Sequence, residues 1–165
     1  MKVIFLAIDG VLNSDVSFCK NREDGIRKGF ADLPHKMHVN ELNRIIDRVK
    51  AEIVLSSSWR IIHSLPSMRI IFHICGVERD ILDFTPRLPN KKRANEIQMW
   101  LNCWQDSNKA ARFLSYGVVT DIKIEDFVIL DDDPNMDHLT HKLIQTDFKR
   151  GLDRKTADEA IRRLS

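Results

Sequence analysis

An apolar run ending in Ala7-Ile8-Asp9-Gly10 sets one carboxylate directly after a buried stretch, with a glycine beside it. Two other apolar runs end in the same polar way. Ser56-Ser57-Ser58-Trp59-Arg60 follows EIVL, and Asp131-Asp132-Asp133-Pro134-Asn135 follows FVIL. Between them lies a basic cluster, Asn90-Lys91-Lys92-Arg93. Phosphoryl transfer needs these parts: an oxygen nucleophile, a divalent metal to offset charge, donors for the phosphoryl oxygens and an acid for the leaving group. Aspartates suit Mg2+, which takes one or two protein carboxylates and keeps several waters. Each motif also has a plainer reading. Asp-Gly is a strand-to-turn signal, serines cap helices, and a basic run is usually a solvated face. The triple aspartate resists such a reading, because adjacent like charges are costly unless a cation compensates them.

The elements that must position these groups follow from hydrophobic periodicity. KVIFLA, EIVLS, ILDF, FVIL and KLIQT read as short strands. Leu42, Ile45, Ile46 and Val49 at helical spacing predict a helix from about Asn40 to Lys50. Ser64 caps a second, with Leu65, Met68, Phe72 and Cys75 on one face and Gly76 at its end. Ile97, Trp100, Leu101 and Trp104 mark a third, and Ala157, Ala160, Ile161 and Leu164 a fourth. Asp106 to Glu125 shows no decisive pattern. Strands alternating with helices predict an α/β fold, a Rossmann-like three-layer α/β/α sandwich with a mainly parallel sheet. Such sheets carry their sites at the carboxyl ends of the strands, where all three polar clusters fall.

Composition narrows the setting. At 165 residues, one domain spanning 1–165 is expected. The chain is 43% hydrophobic and 30% charged, with a net charge of +2 from mixed signs, so no polyanion partner is required by the overall balance. Cys19, Cys75 and Cys103 are odd in number and widely spaced, as in a reduced cytoplasmic protein with mostly buried cysteines. The apolar run Val3 to Ala7 is too short for a signal peptide or a membrane span.

In aggregate the motifs resemble those of the haloacid dehalogenase (HAD) superfamily of phosphatases. IDGVLNS, IVLSSSWR, RANEIQMWL, VILDDDPNM and IQTDFKRGLD are similar to a branch of small phosphatase domains associated with RNA-repair proteins, often phage or bacterial. The resemblance implies a Mg2+-dependent phosphomonoester hydrolase working through an aspartyl phosphate. The family's nucleophilic Asp aligns with Ala7. Asp9 would be general acid and then base, its main-chain carbonyl helping to hold the metal. Ser56 would bond the phosphoryl group, with Gly10, Ser57, Ser58 and Arg60 also at the substrate. Arg93, in preference to Lys92, would be the third-motif cation. Asp131 and Asp132 would be metal ligands with Asp9, and Asn135 a supporting partner.

Alanine at position 7 can neither attack phosphorus nor bind metal, so this chain is expected to be inactive or strongly impaired. Because Asp9, Ser56, Asp131 and Asp132 all remain, a substitution made to trap substrate in an intact site is favoured over a naturally decayed one. The alternative is a natural pseudo-phosphatase that binds a phosphate ligand or nucleic acid. The first gap, about 13–37, is an irregular stretch sufficient for a flap but not for a cap domain. An open site would admit a nucleotide or a nucleic-acid end, with Lys20, Arg22, Arg27 and Lys28 of the flap meeting phosphates. Homo-oligomerisation is the other source of a lid. His138 and His141 lack a third metal ligand, and Cys19, His35 and His38 fit no zinc spacing. Trp59, Trp100 and Trp104 could stack bases, yet two of the three lie on or beside apolar helical faces and read as core.

Overall fold

The computed structural model of the protein describes residues 1–25, 33–106 and 123–165. In chain order the elements are β1 (Lys2–Leu6), α1 (Asp15–Glu23), α2 (Lys36–Val49), β2 (Glu52–Leu55), α3 (Leu65–Ile74), β3 (Ile81–Phe84), α4 (Arg93–Gln105), β4 (Asp126–Asp131), β5 (Leu143–Gln145) and α5 (Arg154–Leu164). Single 3-10 turns at Ser58–Ile61 and Asp137–Lys142 follow β2 and β4.

The described strands form one all-parallel sheet in the order β3-β2-β1-β4-β5. From β1 the chain builds outward through β2 to β3, then returns to the other side of β1 for β4 and β5. Strand order therefore reverses between β1 and β4, the crevice where parallel sheets bind ligands.

Alternation along the strands divides the core into two layers. Ile4 and Leu6 of β1 pack with Leu42 and Ile45 of α2, Phe72 of α3 and Ala157 and Ala160 of α5. Val3 and Phe5 point the other way, toward Ala94, Ile97, Trp100 and Trp104 of α4. Phe5 meets Trp100 edge-on with centroids 5.3 Å apart, and Trp100 stacks on Trp104 at 4.9 Å. The expected three-layer α/β/α sandwich is present, and Trp100 and Trp104 are core.

Several boundaries differ from expectation. The helix expected from about Asn40 starts at Lys36, because His35 takes the capping position and its Nδ1 accepts the Met37 N–H at 3.2 Å. Part of the first gap, expected to be irregular, is helix α1. Its capping box joins Ser14 and Ser17, while its buried face carries Ser17 and Asn21 in place of an apolar stripe, so hydrophobic periodicity has nothing to report there. The cysteines are less buried than expected: Cys19 is exposed on α1, and Cys75 and Cys103 are partly exposed. Arg27, Lys28 and the patternless stretch at 107–122 lie outside the described residues. Among the described residues, no helix is long and apolar enough to cross a membrane.

Candidate functional site at the carboxyl edge of the sheet

Pairing continues one residue past the strands and lines up the groups that follow them. Thr85 N–H donates to Leu55 O at 3.0 Å, Ser56 N–H to Leu6 O at 2.9 Å, Ala7 N–H to Leu130 O at 3.0 Å and Thr146 N–H to Asp131 O at 2.9 Å. Ser56, Ala7 and Asp131, far apart in sequence, thus stand side by side along the switch in strand order. Ala7 and Asp131 are almost fully buried, and Ser56 completely so. The Ser56 and Thr85 hydroxyl oxygens have no hydrogen-bond partner among the described residues. A buried hydroxyl without a partner costs on the order of 1–3 kcal/mol, which a phosphoryl oxygen or a water would relieve.

Asp9 leaves β1 on a tight turn. Its Oδ1 accepts from Asn13 Nδ2 at 3.0 Å and its Oδ2 from Trp59 Nε1, also at 3.0 Å. Gly10 follows with φ of 77°, and a Cβ there would lie 2.3 Å from Cγ of Asp132. Only glycine permits both the left-handed turn and that close approach. The Gly10 carbonyl accepts from Thr146 Oγ1 at 2.7 Å, tying the first turn to the end of β5.

Asp131 and Asp132 adjoin this turn from the end of β4. Asp131 Oδ1 accepts the Asp133 N–H at 3.1 Å, and its Oδ2 takes an Nη1–H of Arg93. Burial pushes the Asp131 carboxyl above its ordinary range; Arg93 and the Asp133 N–H oppose that rise, and neighbouring Asp132 adds to it. The Asp132 carboxylate is half-buried and makes no hydrogen bond among the described residues. Arg93, at the first position of α4, faces the carboxylates, whereas Lys92 pairs at 2.7 Å with exposed Asp137. The geometry thus separates the two candidate cations. Asn135 bonds Asp133 through both its backbone and side-chain nitrogens, at 2.9 and 3.1 Å, and supports that turn rather than Asp131 or Asp132.

The second-motif residues have divided tasks. Ser57 is buried and its Oγ accepts the Trp59 N–H at 3.3 Å, starting the 3-10 turn, while Ser58 is exposed. Arg60, expected at the substrate, is instead committed within the protein. Its guanidinium pairs with Glu96 of α4 and donates to the carbonyls of Ser57 and Thr85, the latter at 3.1 Å. Glu96 also accepts the Leu88 N–H at 3.0 Å. One ion pair therefore fastens the β2 turn, the β3 turn and the start of α4 together. A substrate contact from Arg60 would have to break it.

Asn13, Thr146, Thr85 and Glu96 were not marked by the sequence as parts of this edge, and Trp59, inside the cluster after EIVL, was given no role there. Trp59 had the strongest latent signal, an indole beside three serines at a strand end.

The donor set fits a hard divalent cation. The Asp132 carboxylate lies against the Gly10 turn, and Asp131 precedes it in the chain, buried beside position 7. Among the described residues no three His, Cys, Asp or Glu side chains gather into a metal cluster, and position 7 supplies no carboxylate. Mg2+ requires no more than one or two from protein.

A family model described as the HAD domain in Swiss Army Knife RNA repair proteins matches residues 3–157. No curated protein and no solved structure matches the chain.

Proposed function

Because the chain belongs to the family of HAD domains of Swiss Army Knife RNA repair proteins, it is a HAD-type hydrolase by descent, and we propose that its site is built to hydrolyse a phosphomonoester at a nucleotide or nucleic-acid end. The observation that carries this reading is the row Ser56, Ala7, Asp131 at the switch in strand order, with Asp9 held beside it by two donors. Asp131, Asp132 and the main-chain carbonyl of Asp9 would hold Mg2+. When bound, the ion offsets phosphate charge and polarises a phosphoryl oxygen.

In the acidic form of the site, with Asp at position 7, a carboxylate oxygen attacks phosphorus and the bond to the ester oxygen breaks. The departing oxygen takes the proton of Asp9. Ser56 Oγ donates to a phosphoryl oxygen, and Arg93 supplies positive charge from the start of α4. Asp9, now a carboxylate, removes a proton from water, which attacks phosphorus and displaces the carboxylate at position 7. Inorganic phosphate leaves and Asp9 is again protonated. Alanine has no atom for the first step, so the present chain is an inactivated form that retains the machinery for binding. A flap in place of a cap domain would leave the site open to a polynucleotide end.

A second reading is a binding module without turnover. What favours it is the fit of Ala7 itself, whose methyl group joins the apolar cluster of Leu6, Ile8 and Leu130. Mg2+-dependent phosphate release distinguishes the two. The Ala7→Asp protein and the present chain are compared on an aryl phosphate, a panel of nucleotides and oligonucleotides phosphorylated at either end. Release by Ala7→Asp alone supports the hydrolase. Silence from both folded proteins, with metal-dependent ligand binding retained, favours the module.

A further inference from the structure

We infer that Phe148 is a stacking platform for the base of the nucleotide whose phosphate occupies the site, an inference that rests on the nucleotide or nucleic-acid reading above. The segment IQTDFKRGLD leaves the carboxyl edge directly beside the carboxylates. Thr146 is bonded to both Asp131 O and Gly10 O, and Phe148 follows two residues later.

The turn that carries Phe148 is fixed at several points. Asp147 Oδ1 accepts the Lys149 N–H at 2.8 Å, Arg150 N–H donates to Asp147 O at 2.9 Å, and Gly151, with φ of 68°, closes the turn. The first residues of α1 are stitched to it, Asp15 N–H to Phe148 O and Val16 N–H to Lys149 O, each at 3.1 Å. Leu152 N–H then returns to Val11 O at 2.8 Å. The whole turn is thus laced to the loop that presents Asp9.

On this rigid support the Phe148 side chain is 42% exposed, and it is the one aromatic among the exposed large hydrophobic side chains of the described residues. Val16, on the adjoining segment, is 38% exposed. Lys149 and Arg150 follow Phe148 in the chain and are exposed. Of the nearby acids, Asp147 is engaged inside the turn by the Lys149 N–H and by Arg150 Nε at 3.6 Å, and Asp15 is exposed. An exposed aromatic followed in the chain by two exposed cations, on a turn bonded to the loop that presents Asp9, matches the chemistry of a nucleotide end: a π-face for a base and positive charge for the backbone. A base-less phosphomonoester offers nothing to the ring.

The test uses the present chain with Mg2+ and two probes carrying 2-aminopurine at the phosphorylated terminus, a mononucleotide and a short oligonucleotide, read by fluorescence. In parallel, the Ala7→Asp protein is assayed on ribose 5-phosphate. Phe148→Ala is expected to weaken binding about 5- to 100-fold and to abolish the stacking quench. Phe148→Trp should restore both, and turnover of ribose 5-phosphate in the Ala7→Asp background should be unchanged by either substitution. Loss with both probes assigns the ring to the terminal base, and loss with the oligonucleotide alone to an inner base of a polymer; both support the platform. Equal binding of the probes by parent and Phe148→Ala overturns it while leaving the nucleotide reading intact. Failure of the parent to bind either probe overturns that reading and the platform with it.

Discussion

Trp59 donates its indole N–H to Oδ2 of Asp9 at 3.0 Å, across 50 residues of chain. The bond joins the turn after β2 to the turn after β1, and with Asn13 on Oδ1 it leaves the Asp9 carboxylate one orientation. An acid that must first protonate an ester oxygen and then deprotonate water depends on such placement. Trp59 is a positioning residue in this scheme.

Its removal should therefore affect turnover more than affinity. In the Ala7→Asp background, Trp59→Phe keeps the ring bulk and deletes the donor. A hydrogen bond to a charged group of about 1.5–3 kcal/mol corresponds to a roughly ten- to hundredfold fall in kcat. KM for an aryl phosphate should change little. A change confined to KM would assign Trp59 to substrate instead.

The strands were legible as short continuous apolar runs, because a parallel sheet covered on both faces buries every side chain, as at Val3, Ile4, Phe5 and Leu6, and most helices from a helical period such as Leu42, Ile45 and Val49 along α2. The carboxylates were legible because crowded acids have few structural uses. Helix α1 was not, since its inward face is polar and its stability comes from the Ser14–Ser17 capping box. The pairing of Arg60 was not legible for a related reason. A cation beside a serine cluster reads as a phosphate ligand until Glu96, 36 residues away, is seen to neutralise it. Long-range pairing of this kind leaves no local pattern.

Placing an acid at position 7 should make stability depend on metal. Ala7 is 2% exposed beside Asp131, so Ala7→Asp adds a buried charge to an acidic site. Without divalent ions the variant is expected to melt roughly 5–10 °C below the present chain, from an uncompensated buried charge of about 3 kcal/mol. Mg2+ should raise the variant's Tm more than the parent's, because binding to the folded state alone stabilises it. Melting curves with chelator and with Mg2+ measure both. Equal Mg2+ shifts in the two proteins would place the ion away from position 7.

The Arg60–Glu96 pair should be costly to break singly and cheap to replace jointly. Both side chains are less than a tenth exposed. Glu96→Gln leaves the Arg60 charge buried without its partner, an expected loss of about 3–5 kcal/mol in urea unfolding. Arg60→Met combined with Glu96→Leu should cost less than the sum of the single changes, since no stranded charge remains. Additive losses would mean that the two charges do not act as a pair.

Acid should loosen the joint between α1 and the carboxyl-edge turn through His38. The ring is fully buried, with Nδ1 at 2.8 Å from Leu152 O and Nε2 at 2.8 Å from Ser14 Oγ. A carbonyl only accepts, so Nδ1 carries the proton and Nε2 accepts from the Ser14 hydroxyl. That hydroxyl also receives the Ser17 N–H at 3.1 Å and caps α1. A second ring proton would oppose the Ser14 hydroxyl proton inside the core. Burial holds the His38 pKa below the ordinary 6.5, as do the charges of His35 and Lys20, against the Leu152 carbonyl and Asp153. The unfolded chain therefore binds this proton more readily than the folded one. Its contribution to stability is complete above about pH 6.5 and declines as pH falls from there toward the lower folded pKa. His38→Gln should cost about 2 kcal/mol at pH 7.5 through two buried hydrogen bonds. It should also flatten the decline between pH 7 and 5 relative to the parent, as read from urea midpoints across that range. A variant whose stability falls with the same slope as the parent's would assign the acid sensitivity to another group.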